Sequence, residues 1–314
     1  MVGTAEEPRR ATRELTTTVS LVLLVPGGTG QLGRELAALS TDGVEVIAPG
    51  STELDITSAG SVIEAVSTLA GKRAVVLNAA AYTAVDKAET DQSRAFAVNA
   101  DGPRVLAAVC SSRGVPLVHV STDYVFPGDA SQPYEVDSPP GPRSIYGLTK
   151  LAGEDAVLGS GADAWVVRTS WVYGAWGKNF VKTMARLESS RDTLSVVDDQ
   201  VGSPTWTFDL ARGLVELATR ISEGTGPTSR VLHATAANSV TWAGFARAIF
   251  EELGADPTRV KSCGTEDYPL PARRPAYSVL SSTAWTDAGL TPLRGWREAL
   301  GEAFSRQGNE FRAQ

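Results

Sequence analysis

Five short runs of continuous apolar residues punctuate the first 170 residues, and they restrict the fold more than any other feature. LVLLV (21–25), VEVIA (44–48), RAVVLNAA (73–80), VPLVHVS (115–121) and AWVVRTS (164–170) are strand-length and read as buried strands. Longer amphipathic stretches, such as QLGRELAALS and DGPRVLAAVCSSRG, lie between them. Apolar strands alternating with helices predict an α/β fold, a doubly wound parallel sheet covered on both faces.

After Tyr173 the rhythm loosens. Glycine and tryptophan become frequent, and prolines punctuate GSPTW and YPLPARRP. Helical patterns return over 205–221 and 241–254, and RVLHATA (230–236) reads as a late strand that returns to the main sheet. The expected division is a nucleotide-binding domain over 20–172 and a smaller, partly interleaved domain over 173–305. Tails are expected at 1–19 and 306–314. The opening MVGTAEEPRRATRELTTT mixes charges of both signs without a hydrophobic centre, so it reads as a disordered tail and not a signal peptide.

Charge and composition remove several function classes. With 29 basic against 36 acidic residues the net charge is -7, and no basic block exists to bind nucleic acid. No apolar run approaches the ~20 residues that cross a bilayer. Cys110 and Cys263 read as small apolar residues, and His119 and His233 lie far from both, so no zinc spacing exists. A cytoplasmic, reduced and metal-free protein is expected.

PGGTGQLGREL follows the first strand directly and opens a helix, with Gly27, Gly30 and Gly33 three apart. One glycine makes the tight turn, the next admits a pyrophosphate to the backbone, and the third lets the helix pack on the strand. The helix N-terminus then faces the phosphates with about half a positive charge. Strand before and helix after make this a dinucleotide site in a Rossmann-type sheet. A carboxylate at the tip of the second strand would hydrogen-bond the ribose of NAD and repel a 2′-phosphate. Gly50, Ser51 and Thr52 occupy that tip, with Glu53 just beyond it. NADPH is the better fit; NADH stays compatible, because no arginine stands there.

The strand over 115–121 runs into STDYVF, which places Thr122 at the carboxyl edge of the sheet, where open α/β folds bind ligands. Further along, SIYGLTKLAGE sets Tyr146 and Lys150 one helical turn apart on one face. A phenol can protonate a carbonyl oxygen if its pKa is drawn from about 10 toward neutrality, a shift of roughly 4 kcal/mol. An ammonium near 4 Å, at an effective dielectric near 20, supplies about that much. Thr122 would hold the substrate oxygen while Tyr146 protonates it. Among the bland readings, His119 is a satisfied core histidine, Phe126 is packing, and Asn99 is either a helix cap or a water-mediated support for Lys150.

The glycine loop, NAAAYTAVDKAE, STDYVF, the Tyr-x-x-x-Lys pair and VVDDQVGSPTW together resemble the extended short-chain dehydrogenase/reductases, over about 21–304. Within them the chain is similar to reductases of 4-keto sugar nucleotides. The resemblance implies NADPH-dependent reduction of the C4 keto group of a dTDP-4-keto-6-deoxyhexose. It puts Thr122, Tyr146 and Lys150 in catalysis, with Lys150 also bonding the nicotinamide ribose. It sets Gly27, Gly30, Gln31, Leu32 and Gly33 under the pyrophosphate, Asp55 and Ile56 near adenine, and Ala79, Ala80 and Ala81 along the cofactor. Tyr124 and Trp171 would flank the sugar, with Asn179, Phe180 and Arg274 also toward substrate. GKNF (177–180) and DDQVGSPTW (198–206) would wall the nucleotide diphosphate.

Three departures stand out. Pro26 precedes the glycines, Tyr277 replaces a frequent asparagine, and Glu35 matches one of the glutamates that bind magnesium at a dimer interface in some relatives. A homodimer is compatible with this, but no second ligand is visible and no metal is expected. A related dehydratase would need an Asp-Glu pair where Asp123-Tyr124 stands. A non-catalytic, nucleotide-binding regulatory subunit is weighed against by the intact Thr, Tyr and Lys set.

Overall fold

The computed structural model describes residues 20–39 and 43–312, so the tail expected at 1–19 lies outside the described residues. Strands β1 (Leu21–Leu24), β2 (Val44–Ile47), β3 (Ala74–Asn78), β4 (Leu117–Thr122) and β5 (Ala164–Thr169) form one parallel sheet with a sixth strand, Val231–His233. Their spatial order is Val231–His233, β5, β4, β3, β1, β2. The late strand pairs in parallel with β5, setting His233 opposite Arg168. Chain order reverses between β1 and β3, which opens the ligand crevice of a doubly wound sheet at their carboxyl ends.

Continuous apolar runs give strands buried on both faces because helices cover both. On one face Leu21, Leu23, Val75 and Leu77 pack with Leu210, Leu214 and Leu217 of the helix Thr207–Ser222. On the other, Val22, Leu24 and Val76 pack with Leu106, Cys110 and Val157. Each such side chain contributes about 1.5–3 kcal/mol on burial. β2 departs from the expectation of a fully buried strand. It forms the sheet edge, and Glu45 is exposed on it.

A third core, of Trp206, Phe245, Ile249, Leu300 and Phe311, lies in the C-terminal half. It corrects the reading of 306–314 as a tail. The helix Trp296–Arg312 continues past a break at Gln307 (φ -131°), and Phe311 is buried with the Phe304 ring tilted against it, centroids 5.0 Å apart. The polar run SRQGNE concealed this, because Gln307 faces inward and accepts the Trp206 indole N–H at 3.2 Å. Among the described residues no helix is long and apolar enough to cross a membrane.

Candidate active site

A cavity of about 830 Å³ runs along the carboxyl ends of the strands. Gly27, Gly30, Gln31, Leu32, Asp55, Ile56, Ala79, Ala80 and Ala81 all line it, as do Thr122, Tyr124, Tyr146, Lys150 and Trp171. The glycine loop turns through Gly27 in the left-handed region (φ 89°), a conformation that costs glycine little. Gly33 stands behind the loop and does not line the cavity; a Cβ there would lie 2.2 Å from the Gly27 carbonyl oxygen. At the tip of β2, Ser51 faces the cavity whereas Glu53 accepts the Gly50 N–H at 2.8 Å and stays within its own turn.

Ser144 starts the Tyr/Lys helix by accepting the Gly147 N–H at 3.1 Å. Gly147 lets that helix lie against the turn after β4, since a Cβ there would meet the Tyr124 carbonyl oxygen at 2.2 Å. Tyr146 consequently packs edge-to-face on Tyr124, with ring centroids 5.5 Å apart. Thr122 donates its hydroxyl to the Asp123 carboxylate at 2.9 Å. Lys150 is enclosed and donates to the Val120 carbonyl oxygen at 2.8 Å, with His119 Nε2 3.4 Å away.

The expected tuning of the phenol is not realised by this arrangement. Burial pushes Tyr146 up to about 12, against a hydrogen bond with Thr122 that pulls it down, while the Asp123 charge pushes it further up. Burial lowers Lys150 to about 8, with Glu154 opposing. The amine points to β4 and not to the phenol, so desolvation outweighs the attraction that simple spacing suggested. Burial also raises Asp123 to about 6.

A second cavity, of about 870 Å³, lies among Phe180, Met184, Leu187, Asp199, Gln200 and the 268–274 segment. Tyr124 and Trp242 line both cavities. Trp171, at φ 47°, stacks on Trp242 with centroids 3.4 Å apart. Trp242 went unread in the sequence, where its only mark is a tryptophan opening a helix after the Thr241 cap. Arg94, another wall of the first cavity, was likewise missed in a polar run.

Several expected residues are placed otherwise. Asn179 lines neither cavity. It caps the helix Phe180–Glu188 and donates to Gln31 Oε1 at 2.9 Å and the Gly174 carbonyl oxygen at 2.8 Å, which commits its amide. Gly177 and Lys178 open onto the first cavity instead of the second. Arg274 lines the second cavity but pairs with Asp86 at 2.6 Å. Asn99 is not a cap, since it lies inside the helical segment Ala97–Asp101. It bonds both backbone groups of Tyr82 and the Thr149 hydroxyl. Glu35 is buried with its carboxyl accepting from Thr207 at 2.9 Å, and burial raises its pKa. Among the described residues no group of three or more His, Cys, Asp or Glu side chains is arranged to hold a metal ion.

Comparison with known proteins shows the family. Residues 21–308 match the model of the RmlD substrate binding domain. The dTDP-4-dehydrorhamnose reductase of Streptomyces griseus is 50% identical over 283 residues, spanning 90% of this chain and 92% of its own. The dTDP-4-keto-6-deoxy-D-glucose reductase of Streptomyces niveus is 45% identical, spanning 90% and 96%. The crystal structure of the dTDP-4-dehydrorhamnose reductase of Bacillus anthracis in complex with NADP superposes with a TM-score of 0.84 at 34% identity, covering 91% of this chain and 99% of that one. The chain belongs to the RmlD substrate binding domain family and is an oxidoreductase of the extended short-chain dehydrogenase/reductase type.

Proposed function

We propose that this protein uses NADPH to reduce the C4 carbonyl of a dTDP-4-keto-6-deoxyhexose, and that the sugar is dTDP-4-dehydro-L-rhamnose, giving dTDP-L-rhamnose. The observation that carries the reading is the junction of the two cavities. Tyr124 and Trp242 line both the groove along the glycine loop and the second pocket, and Thr122 and Tyr146 line the groove beside Tyr124. A nicotinamide nucleotide fits the groove: Gly30 lines it, the helix beginning at Gln31 points its N-terminus there, and Ser51 leaves room for a 2′-phosphate. The activities for which the relatives are named and the NADP of the Bacillus anthracis structure support both substrate and cofactor.

When bound, the nicotinamide supplies the hydride. The residues of the chain manage the oxygen. Burial keeps the Tyr146 phenol protonated at neutral pH, so it arrives as an acid and gives its proton to the carbonyl oxygen as negative charge develops there. Thr122 orients that oxygen from the edge of β4. Lys150, one turn along the helix, favours the phenolate left behind once its ammonium swings from the Val120 carbonyl toward the groove. Trp171 and Tyr124 flank the sugar. We place the reaction in the cytoplasm and without a metal ion.

A second reading is favoured by the Streptomyces niveus relative, whose name carries a different 4-keto sugar at similar identity. One experiment addresses both. The 3,5-epimerised 4-keto sugar nucleotide is supplied with deuterated NADPH in EDTA, and the label is located. Deuterium at C4 supports the proposal. Label elsewhere, or turnover only after magnesium is restored, overturns it. Reduction only of a differently configured 4-keto sugar keeps the chemistry and moves the substrate.

A further inference from the structure

Lys150 has a buried backing that this mechanism does not use. His119, wholly enclosed on β4, turns its Nε2 to the Lys150 amine at 3.4 Å and its Nδ1 to the Asn78 amide nitrogen at 3.0 Å. One neighbour fixes the direction of these contacts. Asn78 Oδ1 accepts the Ala80 N–H at 3.1 Å. Turning the amide over would set its NH2 against that N–H, donor to donor. Asn78 therefore donates to His119, Nδ1 accepts, and the neutral ring carries its proton on Nε2. The ring is held neutral by burial first and by the Lys150 charge second, which together lower its pKa well below the ordinary value.

That N–H points at the lysine nitrogen. A neutral amine can accept it while donating to Val120; an ammonium has no lone pair and is repelled. We propose that His119, fixed as its Nε2–H tautomer by Asn78 and Ala80, is a positioning residue that turns the charged Lys150 away from the sheet, toward Tyr146 and the cofactor groove. Other groups bear on the amine. Glu154, on the same helix, holds the cation but is itself paired with Arg168 of β5 at 2.7 Å. Tyr146 and, in the turn after β4, Asp123 lie on the groove side. The segment Ala97–Asp101 presents only neutral Asn99, tied to Thr149. Ala80 lines the groove, so the cofactor segment and the lysine are joined through two side chains.

The tautomer stands on geometry alone; its catalytic consequence rests on the reductase reading above. Full-length protein labelled with 15N-histidine reports which ring nitrogen is protonated, the His119 signals being assigned by their loss in His119→Leu. A proton on Nε2 supports the proposal, and one on Nδ1 overturns it. In a pH profile of kcat/KM, His119→Leu should move the basic limb up by about one unit, a ~10-fold change in the lysine equilibrium. A limb that stays, or moves down, overturns the proposal. Should that variant not fold, Asn78→Asp replaces it. Its carboxylate draws the ring proton to Nδ1, so the nitrogen signature must switch and the limb must rise. Wild-type protein without turnover would sink the reductase reading, while the nitrogen signature would still decide the tautomer.

Discussion

Gly30 ends the glycine loop and Gly33 stands in the helix behind it, and the two do different work, which a pair of alanine substitutions can separate. A Cβ on Gly33 would lie 2.2 Å from the Gly27 carbonyl oxygen and 2.6 Å from Gly28 Cα, where ordinary contact begins at 3.4 Å. The obstructing atoms are backbone, so the helix must back away from the loop by about 1 Å, an overpacking cost of ~1–3 kcal/mol. Alanine returns up to ~1 kcal/mol through its helix propensity. The net of about 1–2 kcal/mol should lower Tm by roughly 2–3 °C. A Cβ on Gly30 meets only the Gly27 oxygen, at 3.2 Å, and its backbone (φ -75°, ψ 173°) suits any residue. Gly30→Ala should therefore leave Tm within ~1 °C while its methyl group enters the groove, weakening NADPH binding at least ~10-fold, or 1.4 kcal/mol. Thermal melts of nucleotide-free protein and titration calorimetry with NADPH read the two quantities. Equal loss of stability in both variants, or an unchanged Tm in Gly33→Ala, would refute the division of labour.

Other expectations follow from the same site. Tyr146→Phe should reduce kcat by ~10²-fold or more with NADPH affinity largely kept, as single-turnover and binding measurements would show; near-normal turnover removes Tyr146 as the acid. Lys150 is depressed from 10.5 to about 8, so the unfolded chain holds its proton more tightly and wild-type stability gains from this group as pH rises from about 8 to 10.5. Lys150→Met should thus melt higher than wild type at pH 7, with the gap closing across that window; a gap constant with pH contradicts the buried cation. Ser51→Glu should shift the kcat/KM ratio toward NADH, because a carboxylate would then face the groove where a 2′-phosphate fits; an unchanged ratio would move the adenosine ribose elsewhere.

Much of the candidate site was readable because its signals are local. Apolar runs fix strands, and a strand's end fixes Thr122. A spacing of four fixes Tyr146 and Lys150 on one face of a helix that Ser144 begins. What stayed hidden depends on distant partners. Asn179 resembled a ligand contact until Gln31 and Gly174 claimed its amide. Trp242 gains its meaning only from stacking on Trp171, and Phe311 only from packing beside Phe304. The upward push of burial on the phenol was hidden because spacing gives a distance between charges and says nothing of desolvation or of the direction a lysine points.

The strand Val231–His233 has a consequence for how the chain is made. β5 is buried along its whole length, and its outer neighbour is encoded far downstream. During synthesis the ribosome must add roughly sixty residues after β5 before that neighbour exists, which at about 5–20 residues per second is some 3–12 s. Throughout that interval a growing chain presents an apolar strand with one row of backbone donors and acceptors unpaired, the condition under which strands pair with the wrong partner. Nascent chains stalled near residue 200 should accordingly bind chaperones, and those stalled well past residue 240 should release them.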